Sequence, residues 1–347
     1  MSAALTMGEG GTPIVALDVL AARWGLGGLW GKAEYLNPTG SYKDRIAVAT
    51  MAHARREGYR GWLGTSSGNG GAAMAAYAVR AGLPGVLLVP ADAPAEKLAS
   101  ITPYGVLLLS AGPMGPDVMA RLGAIAAAER LILTITAHRY NPVGMRGADG
   151  IGAEIAAHGR ATHVYVPTGG GGLLVATARG LRNSGSAVPV VVAQPAGCAP
   201  IACAVAGQIP QPRIDTWVTA ISGLQLPLPP DGDLAVRAVT DSGGWGCAVP
   251  DDDAWRAQDE LARAEGIFVE PASAVALAAV RADATAGRLG AADEPCVVLT
   301  GHGLKDLGRF TGTARRPVPT TIDQLPGRVS GWLAGTARAA TTGGTPR

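Results

Sequence analysis

Only four lysines occur in this chain of 347 residues: Lys32, Lys43, Lys97 and Lys305. An amine that forms a Schiff base must lose its proton near neutral pH, so local setting decides among them. Lys97 lies in the polar stretch APAEKLAS and reads as a surface residue, Lys32 falls in an expected strand (LWGKAEY), and Lys305 follows a glycine-rich turn. Lys43 has the most informative setting, NPTGSYKDRIAVATMAHARREG. Asn-Pro and Thr-Gly mark a turn there, Ser41 is placed to cap the helix that follows, and Lys43 falls in its first turn. The partial positive charge of a helix N-terminus disfavours an ammonium. Taken alone, the pattern also fits a capped surface helix that happens to begin with lysine.

Three further motifs decide against that plainer reading. In GTSSGNGGAAMAAYAVRAG (64–82), an apolar run ends in a Ser-Ser-Gly-Asn-Gly-Gly turn and passes into an alanine-rich helix. Backbone amides at such a helix start suit a carboxylate or phosphate, and the Asn69 amide adds a donor. A glycine-rich connection with an ordinary helix cap is the alternative. In VYVPTGGGGLLVATARG (164–180), Gly169, Gly170, Gly171 and Gly172 lie between a buried strand and a helix, the order in which successive N–H groups converge on a phosphate. The loop has neither the Gly-Lys-Ser/Thr of a nucleotide-triphosphate loop nor the GxGxxG spacing of a dinucleotide site, which disfavours a nicotinamide oxidoreductase. In VVLTGHGLKD (297–306) a buried strand ends at Thr300, and polar residues at the carboxyl ends of parallel strands are where α/β proteins hold ligands. His302 in this motif reads as a turn or core histidine.

The elements that must position these residues alternate. Nearly continuous Val, Leu and Ile runs at 86–90, 106–110, 131–134, 163–167, 188–194 and 296–301 predict strands buried on both faces. Helical stretches lie between them, such as GGAAMAAYAVRAG, DVMARLGAIAAAER and DDAWRAQDELARAEG, which argues for parallel α/β sheets. The Pro-rich segment 207–233 predicts an irregular excursion, and the glycines and proline of 141–152 a break between two α/β runs. The last dozen residues, rich in Thr, Gly and Ala, are expected to be mobile.

Composition narrows the function classes. With 48% hydrophobic and 16% charged residues the chain is globular. A net charge of +2 with scattered arginines gives no basic stripe for nucleic acid. No apolar run is long enough for a membrane span, and the N-terminus lacks a signal-peptide pattern, so a soluble cytoplasmic protein is expected. Cys198, Cys203, Cys247 and Cys296 form no CxxC pair, which predicts buried reduced thiols and no metal site.

Together the motifs resemble the threonine synthase branch of the fold type II, tryptophan synthase beta-like, pyridoxal-phosphate-dependent enzymes. The similarity runs from GEGGTPIVAL (8–17) through NPTGSYKDR, SSGNGGAA, PTGGGGLL and EGIFVEPASAVALAAV to TGHGLKD (300–306), in the family's order. It implies an α/β fold of two three-layer domains with pyridoxal 5'-phosphate in the cleft between them. The implied large domain is 1–46 with 141–310, the small mobile one 47–140, and 311–347 a partly flexible extension. It also implies that Lys43 carries the cofactor as a Schiff base and shuttles protons, and that Asn69 donates to the ring hydroxyl. Gly169 to Gly172 would cradle the phosphate, Thr300 would bind the pyridine nitrogen, and Ser66, Ser67 and Gly68 would hold the substrate carboxylate. A hydroxyl on the ring nitrogen makes a moderated electron sink, suited to elimination and replacement more than to transamination. A small amino-acid substrate and a homodimer follow from the same resemblance.

The sequence departs from the family in one place. Many threonine synthases carry an arginine shortly after an Asn-Pro pair, as in NPYRxEGQKT. Here, in NPVGMRGADG (141–150), Gly144 takes that arginine's place, Asp149 stands where a lysine is common, and Arg146 lies two residues on as a candidate substrate contact. Either Arg146 compensates, or the substrate bears no phosphate, or the segment is only a hinge. The leading reading is therefore phosphate elimination from O-phosphohomoserine with addition of water. The alternative is β-elimination or β-replacement on serine, threonine or an activated serine. A feedback-regulated threonine dehydratase is disfavoured because no regulatory domain follows Asp306. A non-catalytic cofactor-binding protein is disfavoured by Lys43, Asn69, the glycine loop and Thr300.

Overall fold

The computed structural model describes residues 5–311, apart from 92, 94 and 113–115, and residues 317–342. Its ten strands are β1 (Ile14–Ala16), β2 (Trp30–Lys32), β3 (Gly61–Gly64), β4 (Gly85–Pro90), β5 (Leu107–Ala111), β6 (Leu131–Leu133), β7 (His163–Pro167), β8 (Val190–Pro195), β9 (Gly246–Val249) and β10 (Pro295–Val298). They form a six-stranded sheet in the order β1-β2-β10-β7-β8-β9 and a four-stranded sheet in the order β5-β4-β3-β6. Every pairing is parallel except β1 with β2. Each of the six predicted runs overlaps a strand, β4 to β8 and β10. The four-residue β9 and the glycine-flanked β3 are too short for a hydrophobic run to single them out.

The principal helices of the first compact unit, residues 1–306, are α1 (Asp18–Trp24), α2 (Lys43–Arg56), α3 (Asn69–Ala81), α4 (Ala95–Ala99), α5 (Pro116–Ala128), α6 (Pro142–Arg146), α7 (Asp149–His158), α8 (Gly172–Asn183), α9 (Pro200–Val205), α10 (Gly232–Asp241), α11 (Asp251–Glu265) and α12 (Pro271–Thr285). The expected break at 141–152 is thus helical. Asn141 caps α6 by accepting the Gly144 N–H at 3.0 Å.

Strand alternation builds the layers. Val164, Val166, Val190, Val192, Cys296 and Val298 turn to one face of the large sheet, against residues of α2, α7, α8 and α10. Tyr165, Val191, Ala193, Val297 and Leu299 turn to the other, against α1, α11 and the apolar run Ala274–Val280 of α12. The period of two with both faces apolar is what a parallel sheet between two helical layers requires. The small sheet repeats the plan. Trp62, Leu87 and Ile132 face the alanines of α3, while Leu63 faces Leu122 and Ala126 of α5.

A second unit, residues 307–347, contains α13 (Gly308–Thr311) and α14 (Leu325–Thr342), the latter preceded by a Thr321–Gln324 capping box. Of the dozen terminal residues expected to be mobile, those up to Thr342 are helical, and 343–347 lie outside the described residues. Among the described residues no helix is long and apolar enough to cross a membrane, and no group of three or more His, Cys, Asp or Glu is placed to hold a metal ion. All four cysteines are free, and Cys198, Cys247 and Cys296 are buried.

Candidate active site

Lys43 is the first residue of α2. The turn before it, Asn37–Tyr42, is pinned from several sides. Tyr42 N–H donates to the Thr300 carbonyl at 3.0 Å and His302 N–H to that of Gly40 at 2.9 Å. Lys305 Nζ donates to the Thr39 carbonyl at 2.6 Å, while Thr39 donates its N–H and its hydroxyl to Asp44 at 2.6 and 2.5 Å. Burial pushes the Asp44 carboxyl up to about 6, with the Thr39 bonds opposing it. Ser41 does not cap the helix. It bridges Gly301 as a strand residue would, which turns it away from the helix start, and Tyr42 takes the cap position without a side-chain bond.

A buried ionic network fixes the next turn of α2. Arg45 makes two bonds of 2.8 Å to Glu34 and two of 2.7 Å to Glu154 of α7. The fully buried Lys32 of β2 also donates to Glu154 and to the Thr12 carbonyl. Despite burial, the bonds from Arg45 and Lys32 hold Glu154 down at about 2.

The Lys43 amine donates to Thr136 Oγ1 at 2.8 Å and lies 4.6 Å from the centroid of the Tyr42 ring. Thr136 follows β6, in the four-stranded sheet. The same threonine approaches the glycine loop after β7 in the other sheet, since a Cβ on Gly172 would stand 3.3 Å from its carbonyl oxygen. It also approaches α3, where a Cβ on Gly70 would stand 3.8 Å from its methyl. Lys43, the start of α3 and the glycine loop are therefore brought together by a residue that no sequence motif marked.

The glycine loop opens α8. Gly171, with φ +91°, occupies the N-cap position and no side chain caps the helix. Only glycine takes that conformation without strain, and a Cβ there would also stand 2.8 Å from the Asp231 carbonyl. The irregular segment 207–233 walls this loop. Asp231 N–H donates to the Gly170 carbonyl at 3.0 Å, and the buried Asp231 carboxylate accepts from His138 N–H at 2.7 Å. Burial pushes His138 below its ordinary value, against the pull of Asp231. Ser66, Ser67 and Gly68 form the turn between β3 and α3. No side chain caps α3, and a Cβ on Gly68 would meet nothing within 4 Å.

Asn69 Nδ2 donates to Glu270 Oε2 at 2.8 Å, leaving its second N–H for another acceptor. Burial pushes Glu270 above the usual carboxyl range. Its other oxygen lies 3.4 Å from Thr300 Oγ1. Ser273 Oγ accepts from Gly301 N–H at 3.0 Å and contacts Thr300 Oγ1 at 2.8 Å. Where Ser273 donates in that contact, the Thr300 hydroxyl donates in turn to Glu270 Oε1 at 3.4 Å. Thr136, Asp231, Glu270 and Ser273 escaped the sequence reading as site residues. Glu270 and Ser273 lie in EGIFVEPASA (265–274), whereas no motif marks Thr136 or Asp231.

Arg146 is exposed at the end of α6, and among the described residues no hydrogen bond or ion pair joins it to Lys43, Asn69 or Thr300. Gly144 is buried, and a Cβ on it would stand 2.1 Å from Thr50 Oγ1 and 2.4 Å from Asn141 Nδ2, so an arginine has no room there. Asp149 is held by Arg179 of α8 through bonds of 2.7 and 2.5 Å. His302 caps a short 3-10 turn by accepting Leu304 N–H at 3.1 Å.

These groups fit pyridoxal phosphate. The uncapped α8 N-terminus suits a phosphate dianion. The Lys43 amine, the Asn69 amide and the Thr300 hydroxyl suit an aldehyde, a phenolic oxygen and a pyridine nitrogen. Two residues before Lys43, the fully buried Ser41 Oγ has no hydrogen-bond partner among the described residues.

Comparison with known proteins agrees with that fit. The chain is 32% identical over 337 residues to a threonine synthase of Methanosarcina acetivorans, covering 92% of this chain and 82% of that one. It is 33% identical to a threonine synthase of Halalkalibacterium halodurans, covering 87% and 84%. In fold it is similar to maize serine racemase (TM-score 0.74, 24% identity, 87% and 91% covered) and to an O-ureido-L-serine synthase (TM-score 0.73, 22% identity, 96% and 99% covered). Residues 5–301 match the family described as pyridoxal-phosphate dependent enzyme. With its two largely parallel sheets and its similarity to threonine synthases, the chain belongs to the fold type II pyridoxal-phosphate-dependent enzymes.

Proposed function

We propose that this protein eliminates phosphate from O-phospho-L-homoserine and adds water to give threonine. The carrying observation is the Lys43 amine, bonded to Thr136 where strands of both sheets end and beside the uncapped starts of α3 and α8. Curated relatives at 32 and 33% identity bear the name threonine synthase. Bound pyridoxal phosphate supplies an electron sink for the pair left when the α-proton is removed. Lys43 holds that group at rest and, once displaced by the substrate amine, takes and returns protons at the substrate carbons. Ser66, Ser67 and the N–H groups opening α3 bind the substrate carboxylate. Gly169 to Gly172 bind the cofactor phosphate. Thr300, steadied by Ser273, meets the ring nitrogen with a neutral donor.

A second reading is β-elimination or β-replacement on a serine-type substrate. The α6–α7 segment favours it, because Gly144 leaves no space for a cation and Asp149 is committed to Arg179. Phosphate release from O-phospho-L-homoserine, with threonine followed in the same samples and Lys43→Ala as control, tests the choice. Matched release of both supports the first reading. No release from cofactor-loaded protein refutes it and turns the assay to serine-type substrates. The proposal includes a homodimer, checked by light scattering.

A further inference from the structure

Lys97 belongs to α4, which follows β4 of the small sheet. Its amine crosses to the other sheet's loops, donating to Ser222 Oγ and lying 3.9 Å from Asp306 Oδ2. Both partners border the site. Ser222 precedes Gly223, whose carbonyl lies 2.8 Å from where a Cβ on Gly169 would stand. Asp306 ends the loop that begins at Thr300. The charge of Lys97 also acts on Glu270, the residue bonded to Asn69. Lys97 is thus a cation at the meeting of the α4 turn, the wall of the glycine loop and the Thr300 loop, on the carboxyl side of both sheets, where α/β proteins bind ligands.

Among the described residues its hydrogen-bonding capacity is only partly used. An ammonium has three donors. One serves Ser222, and the Asp306 carboxylate is beyond hydrogen-bond reach. The side chain is 23% exposed. Two donors on a cation at the mouth of an amino-acid site suit an oxyanion at the far end of the substrate's side chain.

We infer that Lys97 is a specificity-determining residue that selects amino acids bearing an anionic group, phosphate or carboxylate, at the side-chain terminus. The inference rests on the proposed amino-acid site at Lys43 and adds the residue that reads the charge of the substrate's side chain. It also gives the site a cation that α6 and α7 do not provide.

The test is binding to the cofactor-loaded protein, read by calorimetry and by cofactor absorbance. The probes are L-2-amino-5-phosphonopentanoate, L-2-aminoadipate and neutral L-norvaline. Wild type is expected to bind one or both anionic probes at least about tenfold more tightly than norvaline, as a charge-assisted contact implies. Lys97→Gln should remove that preference and leave norvaline unchanged, and Lys97→Arg should keep most of it. The phosphonate and aminoadipate arms distinguish a phosphate from a carboxylate reader. A preference that survives in Lys97→Gln, or is missing from wild type while norvaline binds, overturns the inference. If none of the three probes changes heat or absorbance, the proposed function itself fails and takes the inference with it.

Discussion

The side-chain amide of Asn69, at the start of α3, donates 2.8 Å to the carboxylate of Glu270, 201 residues further along the chain. Through Glu270 the amide lies one contact from Thr300, so the two groups expected on opposite edges of one ring share a neighbour. Glu270→Ala would take the acceptor from Asn69 and loosen Thr300. Loss of one charge-assisted bond costs about 1.5–3 kcal/mol, roughly 10- to 150-fold in cofactor affinity or kcat/KM. Cofactor titration followed by steady-state kinetics would show it. An unchanged affinity together with unchanged kinetics would remove Glu270 from the site.

Thr136 is the only described hydrogen-bond acceptor of the Lys43 amine. Thr136→Val keeps the shape and removes the acceptor, and should lower kcat by about tenfold with little effect on cofactor loading. Thr136→Ser should restore the rate. Equal kcat in the valine and serine variants would mean the contact does not position the amine.

Gly144 is closed to any side chain by Thr50 and Asn141. Gly144→Ala should cost about 1–3 kcal/mol of unfolding free energy, as overpacking does. The urea midpoint reads this, with the exposed Val143→Ala as a near-neutral control. A Gly144→Ala midpoint equal to wild type would show that α6 can yield, and would reopen that position to a larger residue.

Glu154 is depressed to about 2 from an ordinary 4.5, with burial opposing and Arg45 and Lys32 prevailing. A carboxyl lowered in the folded chain stabilises it fully above the unfolded value and loses that contribution as pH falls through the folded one. Wild-type Tm should therefore drop between about 4.5 and about 2, and Glu154→Gln should start lower and flatten this limb. Parallel slopes in the two proteins would count against the pairing.

Composition and motif order made the α/β class, the place of Lys43 at a helix start and both glycine turns legible, because each depends on local spacing. Thr136 and Asp231 were not legible, since each becomes a site residue only when a loop of one element folds against another. Ser41 misled for the same reason, its hydrophilic type matching a helix cap while its pairing with Gly301 took it elsewhere. Lys97 sits in a polar run that reads as solvent-facing, and only the approach of Ser222 and Asp306 gives it another setting. Asp149, standing where the family often has a lysine, fastens α7 to α8 through Arg179.

Two residues beyond Lys43, Arg45 is gripped by carboxylates from two other elements of the fold. The amine therefore works as a boom on a fixed mast. In the proposed role its travel would come from rotation about its own methylene bonds, while the helix that carries it stays anchored. The stiffness of that mast limits which substrate atoms the nitrogen can reach, and a change in the anchor alone would alter the reach without touching a single residue in the cleft.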